Sequence, residues 1–379
     1  MAPEITPEEL VARVEAGEPL HILDIRAPEW LLSGRIDVVP EDRFHNIIGS
    51  SLQQAAASGT IPLETDEPLA VVCARGLSSG PVADLLEHLG FEALSVAGGM
   101  QRWMHTLIHR ELPATASLDG LIQFDRMGKG SLGYLLISDG EALVIDPPRK
   151  IDAILETAAS ESAKIVGFAD THLHADYISG APAGAGAMGV PYYLHPEDSF
   201  YPYDGTPGKI SYESIEDGSV IEFGKTKVSV FHNPGHTLGS VSFLVDDEAA
   251  FTGDFVFIRS LGRPDLGGKV AEWTKLLWAS LERMRAEWPE SIICYPAHYS
   301  VDGERNPDKS IGKSLADITA SNEPLQIREE DAFTEWVLAR QSSFPEVYKK
   351  IKAINIALLE PTEEEADEYD VGKNECAVD

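Results

Sequence analysis

The stretch Thr171-His-Leu-His-Ala-Asp-Tyr177 gathers two histidines and a carboxylate within five residues. Alternate positions on an extended loop point the same way, so His172, His174 and Asp176 can converge on one point. Imidazole and carboxylate together make a metal-site composition. Three more His/Asp clusters follow: His232-Asn-Pro-Gly-His236-Thr, Thr252-Gly-Asp254 and Pro296-Ala-His298. A second chemical stretch lies earlier, Cys73-Ala-Arg-Gly-Leu-Ser-Ser-Gly80. A cysteine in a tight Gly/Ser loop that opens a helix faces backbone N–H groups and the positive helix end. Both favour thiolate, which is a nucleophile.

The elements that must position these groups are legible as apolar runs. Residues 163–169, 228–231, 249–252 and 292–295 each read as a strand that ends just before its His or Asp. Such an arrangement gathers ligands on one rim of a sheet sandwich. Residues 133–137 and 142–146 read as a hairpin around an Asp-Gly turn. In the first third, residues 20–25, 69–72 and 93–96 read as buried strands, and 82–89 as a helix. Thr6-Pro-Glu-Glu is a helix start, with a cap, a proline and acids in the first turn. Strands alternating with helices predict a parallel α/β sheet. Residues 310–319 and 330–339 read as helices. Residues 363–370 read as a solvated acidic run, with Cys376 in a flexible stretch beyond, either a relay for sulfur or, as the preferred reading, a cysteine with no role.

The 379 residues suffice for two ordinary domains. Net charge is -32, from 30 basic against 62 acidic residues. That balance argues against nucleic acid or an anionic membrane as a partner. Three dispersed cysteines form no disulfide framework and suit a reducing cytoplasm. The acidic start has no apolar core of a signal peptide, and no run is long enough to span a bilayer.

Residues 1–112 resemble a rhodanese domain. The carriers are Asp24-Ile-Arg26 with Glu29, the Cys73 loop, and Val96-Ala-Gly-Gly-Met-Gln-Arg-Trp103. The resemblance implies that Cys73 carries a persulfide. Many such loops hold two arginines facing an anionic substrate. Here Ala74 and Ser78 stand in their place, leaving Arg75 as the one base. Residues 37–46 replace a short turn usual in that family.

Residues 118–360 resemble the metallo-β-lactamase fold, an αββα sandwich with its metal site at one edge. The carriers are His172, His174 and Asp176, then Pro234 to Thr237, Thr252 to Asp254, and His298. The residue after Asp176 is ordinarily a histidine that binds a second metal. Here it is Tyr177, a poorer ligand, since its ordinary pKa is about 10. Ser260-Leu-Gly-Arg-Pro-Asp265 follows, as in persulfide dioxygenases. That likeness implies one Fe(II) per chain on His172, His236 and Asp254, the two-His-one-carboxylate set of oxygenases. It makes His174, Asp176, Tyr177 and His298 supporting groups that orient ligands or move protons. Arg263 is then a candidate for a carboxylate of a glutathione-like thiol, a structural salt bridge being its other reading. His21, His45, His88, His105, His109 and His195 read as ordinary, and His232 as a packing or supporting group.

The leading expectation is an iron-dependent persulfide dioxygenase that forms sulfite from a small persulfide and O2, joined to a sulfurtransferase. It would be cytoplasmic and a homo-oligomer, dimer or tetramer. A dinuclear thioester hydrolase of glyoxalase II type and a non-catalytic sulfur carrier stay open. Residues 361–379 are expected as an acidic tail.

Overall fold

The computed structural model describes residues 2–341 and 343–378. The chain forms two compact units. One comprises residues 1–108, 126–129 and 371–373, and the other 109–125, 130–370 and 374–379.

The first unit is built on a five-stranded sheet in the order Glu4–Ile5, Ala93–Val96, Leu69–Val72, His21–Asp24, Phe44–Asn46. Every pairing is parallel. The three central strands are buried along their length, as a parallel sheet covered on both faces requires. Helix Pro7–Glu15 begins at a capping box. Thr6 Oγ1 accepts from Glu9 N–H at 3.1 Å, and the Glu9 carboxylate accepts from Thr6 N–H at 2.9 Å. Strand Phe44–Asn46 and the short 3-10 turn Glu41–Arg43 fill the region that departs from the rhodanese pattern.

The second unit carries two sheets. The seven-stranded sheet runs Glu213–Ser214, Tyr192–Leu194, Lys164–Ala169, Glu141–Ile145, Ser131–Ser138, Gly120–Arg126, Ile108–Leu112. The six-stranded sheet runs Val220–Phe223, Thr226–His232, Val241–Val245, Ala249–Gly253, Ile293–Pro296, Lys313–Ser314. One core joins them: Leu136, Leu143 and Ile145 of the first sheet with Val228, Phe243 and Phe251 of the second. Helix Val270–Glu287 adds Leu277 and Leu281 to that core, and helix Glu330–Ala339 adds Phe333 and Val337. Each fully buried Leu or Phe contributes about 1.5–3 kcal/mol through apolar area removed from water.

The Asp139-Gly140 hairpin forms as read, with Ser138 opposite Glu141 and both turn residues at positive φ (49° and 74°). Two expectations change. Residues 310–319 are not one helix: strand Lys313–Ser314 pairs with Ile293–Pro296, and helix Leu315–Ser321 follows. The acidic run is exposed at Glu363, Glu364, Glu365 and Glu368, as read, but the stretch is not a tail throughout. Helix Glu363–Tyr369 starts at a capping box on Thr362, and Asp370, Cys376 and Val378 are buried. Their apolar and hydrogen-bonded partners outweigh the acidity of the run. No helix among the described residues is long and apolar enough to cross a membrane.

Candidate metal centre

His172 follows strand Lys164–Ala169, His236 follows strand Thr226–His232, and Asp254 follows strand Ala249–Gly253. Strand ends from two sheets thus bring together residues 82 positions apart in sequence (254 − 172). One ligand atom of each lies within 4.8 Å of the others, and all three residues are buried. Asp254 Oδ2 is 3.6 Å from His172 Nε2 and 3.4 Å from His236 Nε2. Among the described residues these three atoms have no hydrogen-bond partner. A buried polar atom without a partner costs about 1–3 kcal/mol. Three aimed at one point fit a metal ion that they would share.

The tautomers are set from behind. Thr171 Oγ1 donates to Asp146 Oδ2 at 2.9 Å, so it accepts from His172 Nδ1–H at 2.9 Å. His236 Nδ1–H donates to the Arg263 carbonyl at 3.0 Å. Both Nε2 lone pairs therefore face Asp254. Burial and neighbouring cationic groups hold both histidines well below their ordinary range, hence neutral. Burial pushes the Asp254 carboxyl up, but the charged His298 beside it outweighs that and brings it down, hence ionised. Two neutral imidazoles and one carboxylate are the protonation states a metal site needs.

His298 bridges two carboxylates, with Nδ1 2.6 Å from Asp254 Oδ1 and Nε2 3.0 Å from Asp176 Oδ2. Burial disfavours its charge, but Asp176 and Asp254 raise its pKa to about 10. His174 turns its Nε2 away from the triad, 3.1 Å from Asp146 Oδ1, 3.7 Å from Asp170 Oδ1 and 3.0 Å from Tyr177 Oη. The Tyr177 ring stacks on His174, and its hydroxyl also reaches the Asp146 carbonyl at 3.3 Å. The phenol is thus committed to the loop that it braces. Arg263 is 4% exposed. Its Nε and Nη2 donate to Asp265 at 2.6 and 2.8 Å, and Nη1 to the Glu375 carbonyl at 3.3 Å. Of the two readings of Arg263, this geometry matches the salt bridge. His232 donates to the Leu238 carbonyl at 2.8 Å and stacks on His195, so both pack.

Several positioning residues were not singled out in the sequence. Asp198 accepts from Leu173 N–H and Thr237 Oγ1–H, both at 2.7 Å, and from Gly239 N–H at 2.8 Å. It ties the His172 loop to the His236 loop. Asn355 donates to the carbonyls of His174 (2.9 Å) and Tyr177 (3.0 Å) and accepts from Ser179 N–H at 3.0 Å. Lys352, fully buried, donates to the Leu266 carbonyl at 3.1 Å, and burial lowers its pKa to about 8 against the pull of Asp198. Asp146 sits at φ 51°, an uncommon conformation, where its carboxylate meets Thr171 N–H at 2.7 Å. An Asp ending a strand before two prolines was the one available signal. Gly262 has no room for a side chain, since a Cβ would lie 1.7 Å from the Asp254 carbonyl and 2.9 Å from His236 Nδ1.

In the first unit, Cys73 follows the central strand Leu69–Val72 and precedes helix Ser79–His88. Its Sγ lies 3.4 Å from Ser79 Oγ, which also accepts from Ser95 Oγ–H at 2.9 Å. Burial pushes the thiol up, but hydrogen bonds from Ser78 and Ser79 outweigh it and bring its pKa to about 7. The loop is closed by backbone contact: a Cβ on Gly99 would meet the Cys73 carbonyl at 2.3 Å. Met100 N–H donates to that carbonyl at 2.9 Å. Arg75 is exposed on the loop. At the neighbouring strand end, Arg26 pairs with Asp24 at 2.6 Å and donates to the Gly34 carbonyl at 2.8 Å.

Residues 128–298 match the family model described as the metallo-beta-lactamase superfamily. An uncharacterized protein of Aquifex aeolicus (strain VF5) is 33% identical over 173 residues, 42% of this chain and 79% of the relative. The mitochondrial persulfide dioxygenase ETHE1 of Bos taurus is 33% identical over 173 residues, 42% of this chain and 59% of the relative. A probable polyketide biosynthesis zinc-dependent hydrolase, PksB, of Bacillus subtilis (strain 168) is 27% identical over 195 residues, 52% of this chain and 80% of the relative. Among solved structures, a metallo-beta-lactamase from Staphylococcus aureus subsp. aureus COL superposes with a TM-score of 0.54 at 25% identity. It covers 67% of this chain and 74% of its own.

Proposed function

Residues 128–298 match the metallo-beta-lactamase superfamily, and from that premise we propose that the chain is an iron-dependent persulfide dioxygenase joined to a sulfurtransferase unit. Its substrates would be a low-molecular-weight persulfide and O2, and its product sulfite. The observation that carries the reading is the isolated triad of His172 Nε2, His236 Nε2 and Asp254 Oδ2. Tyr177, where a second metal would want imidazole, donates its hydroxyl elsewhere. The likeness to ETHE1 adds support.

One Fe(II) held by these three atoms would supply the redox chemistry that O2 requires. The chain's own part is positional. Thr171 and the Arg263 carbonyl hold the imidazoles in the ligating tautomer. His298 holds a proton between Asp254 and Asp176 at the rim of the triad. Phe257 packs 6.3 Å from the His298 ring and helps exclude water. In the first unit, Cys73 with its lowered pKa is suited to attack a sulfane sulfur and carry it as a persulfide. Arg75 on the same loop offers charge to an anionic donor.

The test is anaerobic loading with iron, metal counting, and oxygen-electrode assay with glutathione persulfide. Near one iron per chain with oxygen uptake supports the reading. Full iron loading without uptake refutes it. A two-metal thioester hydrolase is the second reading, favoured by Asp176 and His298 standing beside Asp254. Near two metals per chain and thioester cleavage would establish it instead.

A further inference from the structure

A second donor cluster adjoins the triad. Ligand-capable atoms of Asp176, His298 and Cys376 lie within 4.8 Å of one another, and all three residues are buried. His298 belongs to both neighbourhoods, since its Nδ1 contacts Asp254. Cys376 thus stands one imidazole away from an assigned ligand.

The segment that delivers Cys376 is built to do so. Glu375 is exposed, Cys376 buried, Ala377 partly covered and Val378 buried, the period-two alternation of an extended chain with one face inward. Ala377 bridges Gly262. Arg263 N–H donates to the Cys376 carbonyl at 2.8 Å, and Val378 N–H to the Leu261 carbonyl at 2.9 Å. Tyr348 Oη accepts from Glu375 N–H at 2.8 Å. Ala175, Phe257, Leu266 and Tyr348 wall the thiol with apolar surface.

We infer that Cys376 is the thiol on which sulfane sulfur is presented to the metal centre, so that the oxidised substrate is a persulfide of the chain itself. The inference rests on the persulfide-oxidising reading above. In the loading step the Cys376 thiolate attacks the outer sulfur of a small persulfide, R–S–SH. The donor S–S bond breaks, a new S–S bond forms on Cys376, and R–S⁻ departs with the thiol proton as R–SH. In the oxidising step Cys376–S–SH, O2 and H2O give Cys376–SH, sulfite and two protons. Sulfur is oxidised and O2 is reduced by the same four electrons. The added sulfur lengthens the side chain by about 2 Å inside the cluster that contains His298. The apolar wall keeps bulk water from the persulfide. Backbone hydrogen bonds at Glu375, Cys376 and Val378 hold the segment, so loading requires its local opening.

The experiment uses the full chain, iron-loaded under anaerobic conditions and treated with glutathione persulfide. After alkylation, peptide mass spectrometry reads each cysteine separately. The expected result is one added sulfur on the Cys376 peptide, lost on admission of O2 as sulfite appears. Cys376→Ser and Cys376→Ala are expected to keep iron at the wild-type level and lose sulfite production. Oxygen uptake with no sulfur ever found on Cys376 overturns the inference while leaving the dioxygenase reading intact. Loss of iron in both variants also overturns it, because Cys376 would then be a ligand. If the wild-type chain loads sulfur on Cys376 but consumes no O2, the dioxygenase reading fails and takes the oxidising step with it, leaving only the loading step.

Discussion

Replacing Thr171 with valine keeps the shape of the side chain and removes one oxygen. That oxygen makes two contacts at 2.9 Å, accepting from His172 Nδ1–H and donating to Asp146. Without it, His172 Nδ1–H is buried with no acceptor, and the imidazole is free to present either tautomer. Loss of such a partner behind a metal-ligating histidine lowers metal affinity about 10–100-fold, which is about 1.4–2.8 kcal/mol. Asp146 keeps Thr171 N–H and His174, so the loop retains two of its ties. The folding cost is expected to be of similar size, about 1–3 kcal/mol for one unsatisfied buried group, so the two effects are read separately. In a domain of this size that is a fall in Tm of about 2–4 °C for each kcal/mol. The assay is iron retained after anaerobic dialysis against graded chelator, with Tm measured on the same samples. Thr171→Ser should restore most of the affinity, because it returns the oxygen. Wild-type iron retention in Thr171→Val would refute the claim that this hydroxyl sets the ligating tautomer.

Ser79→Ala should raise the Cys73 pKa from about 7 towards the ordinary thiol value of about 8.5. The thiolate is the reactive form, so alkylation of Cys73 should accelerate as pH rises through its pKa, and the variant's profile should move to higher pH. An unmoved profile would show that Ser79 does not stabilise the thiolate. Asn355→Ala removes three hydrogen bonds to the loop carrying His174 and Tyr177. It should lower stability by about 1–3 kcal/mol, read as Tm, and loosen iron without touching Cys73 reactivity. Gly262→Ala drives a Cβ against the Asp254 carbonyl, and metal counting should find the site largely lost while far-UV circular dichroism stays near wild type.

Much of the metal-bearing unit is legible in the sequence. Strand ends that precede His172, His236, Asp254 and His298 are apolar runs that stop at a polar residue, and short-range patterning is enough to mark them. The Asp139-Gly140 turn and the Thr6 capping box are local for the same reason, since each is decided by residues within three positions. Residues 310–319 misled because pairing with Ile293–Pro296 outweighs helix propensity there.

The sequence by itself determined which residue types could ligate and which strand ends would carry them, because chain geometry over a few residues decides that. Tertiary structure alone decided what stands behind and beside them. Asn355 reaches His174 across 181 residues, and Asp198 joins two loops 25 and 39 residues away. Cys376, at the end of an acidic run that reads as solvated, is buried against Asp176 and His298. No local pattern encodes such partners. They are chosen when packing removes water from polar groups, and each must then find whichever complementary atom the fold has brought near.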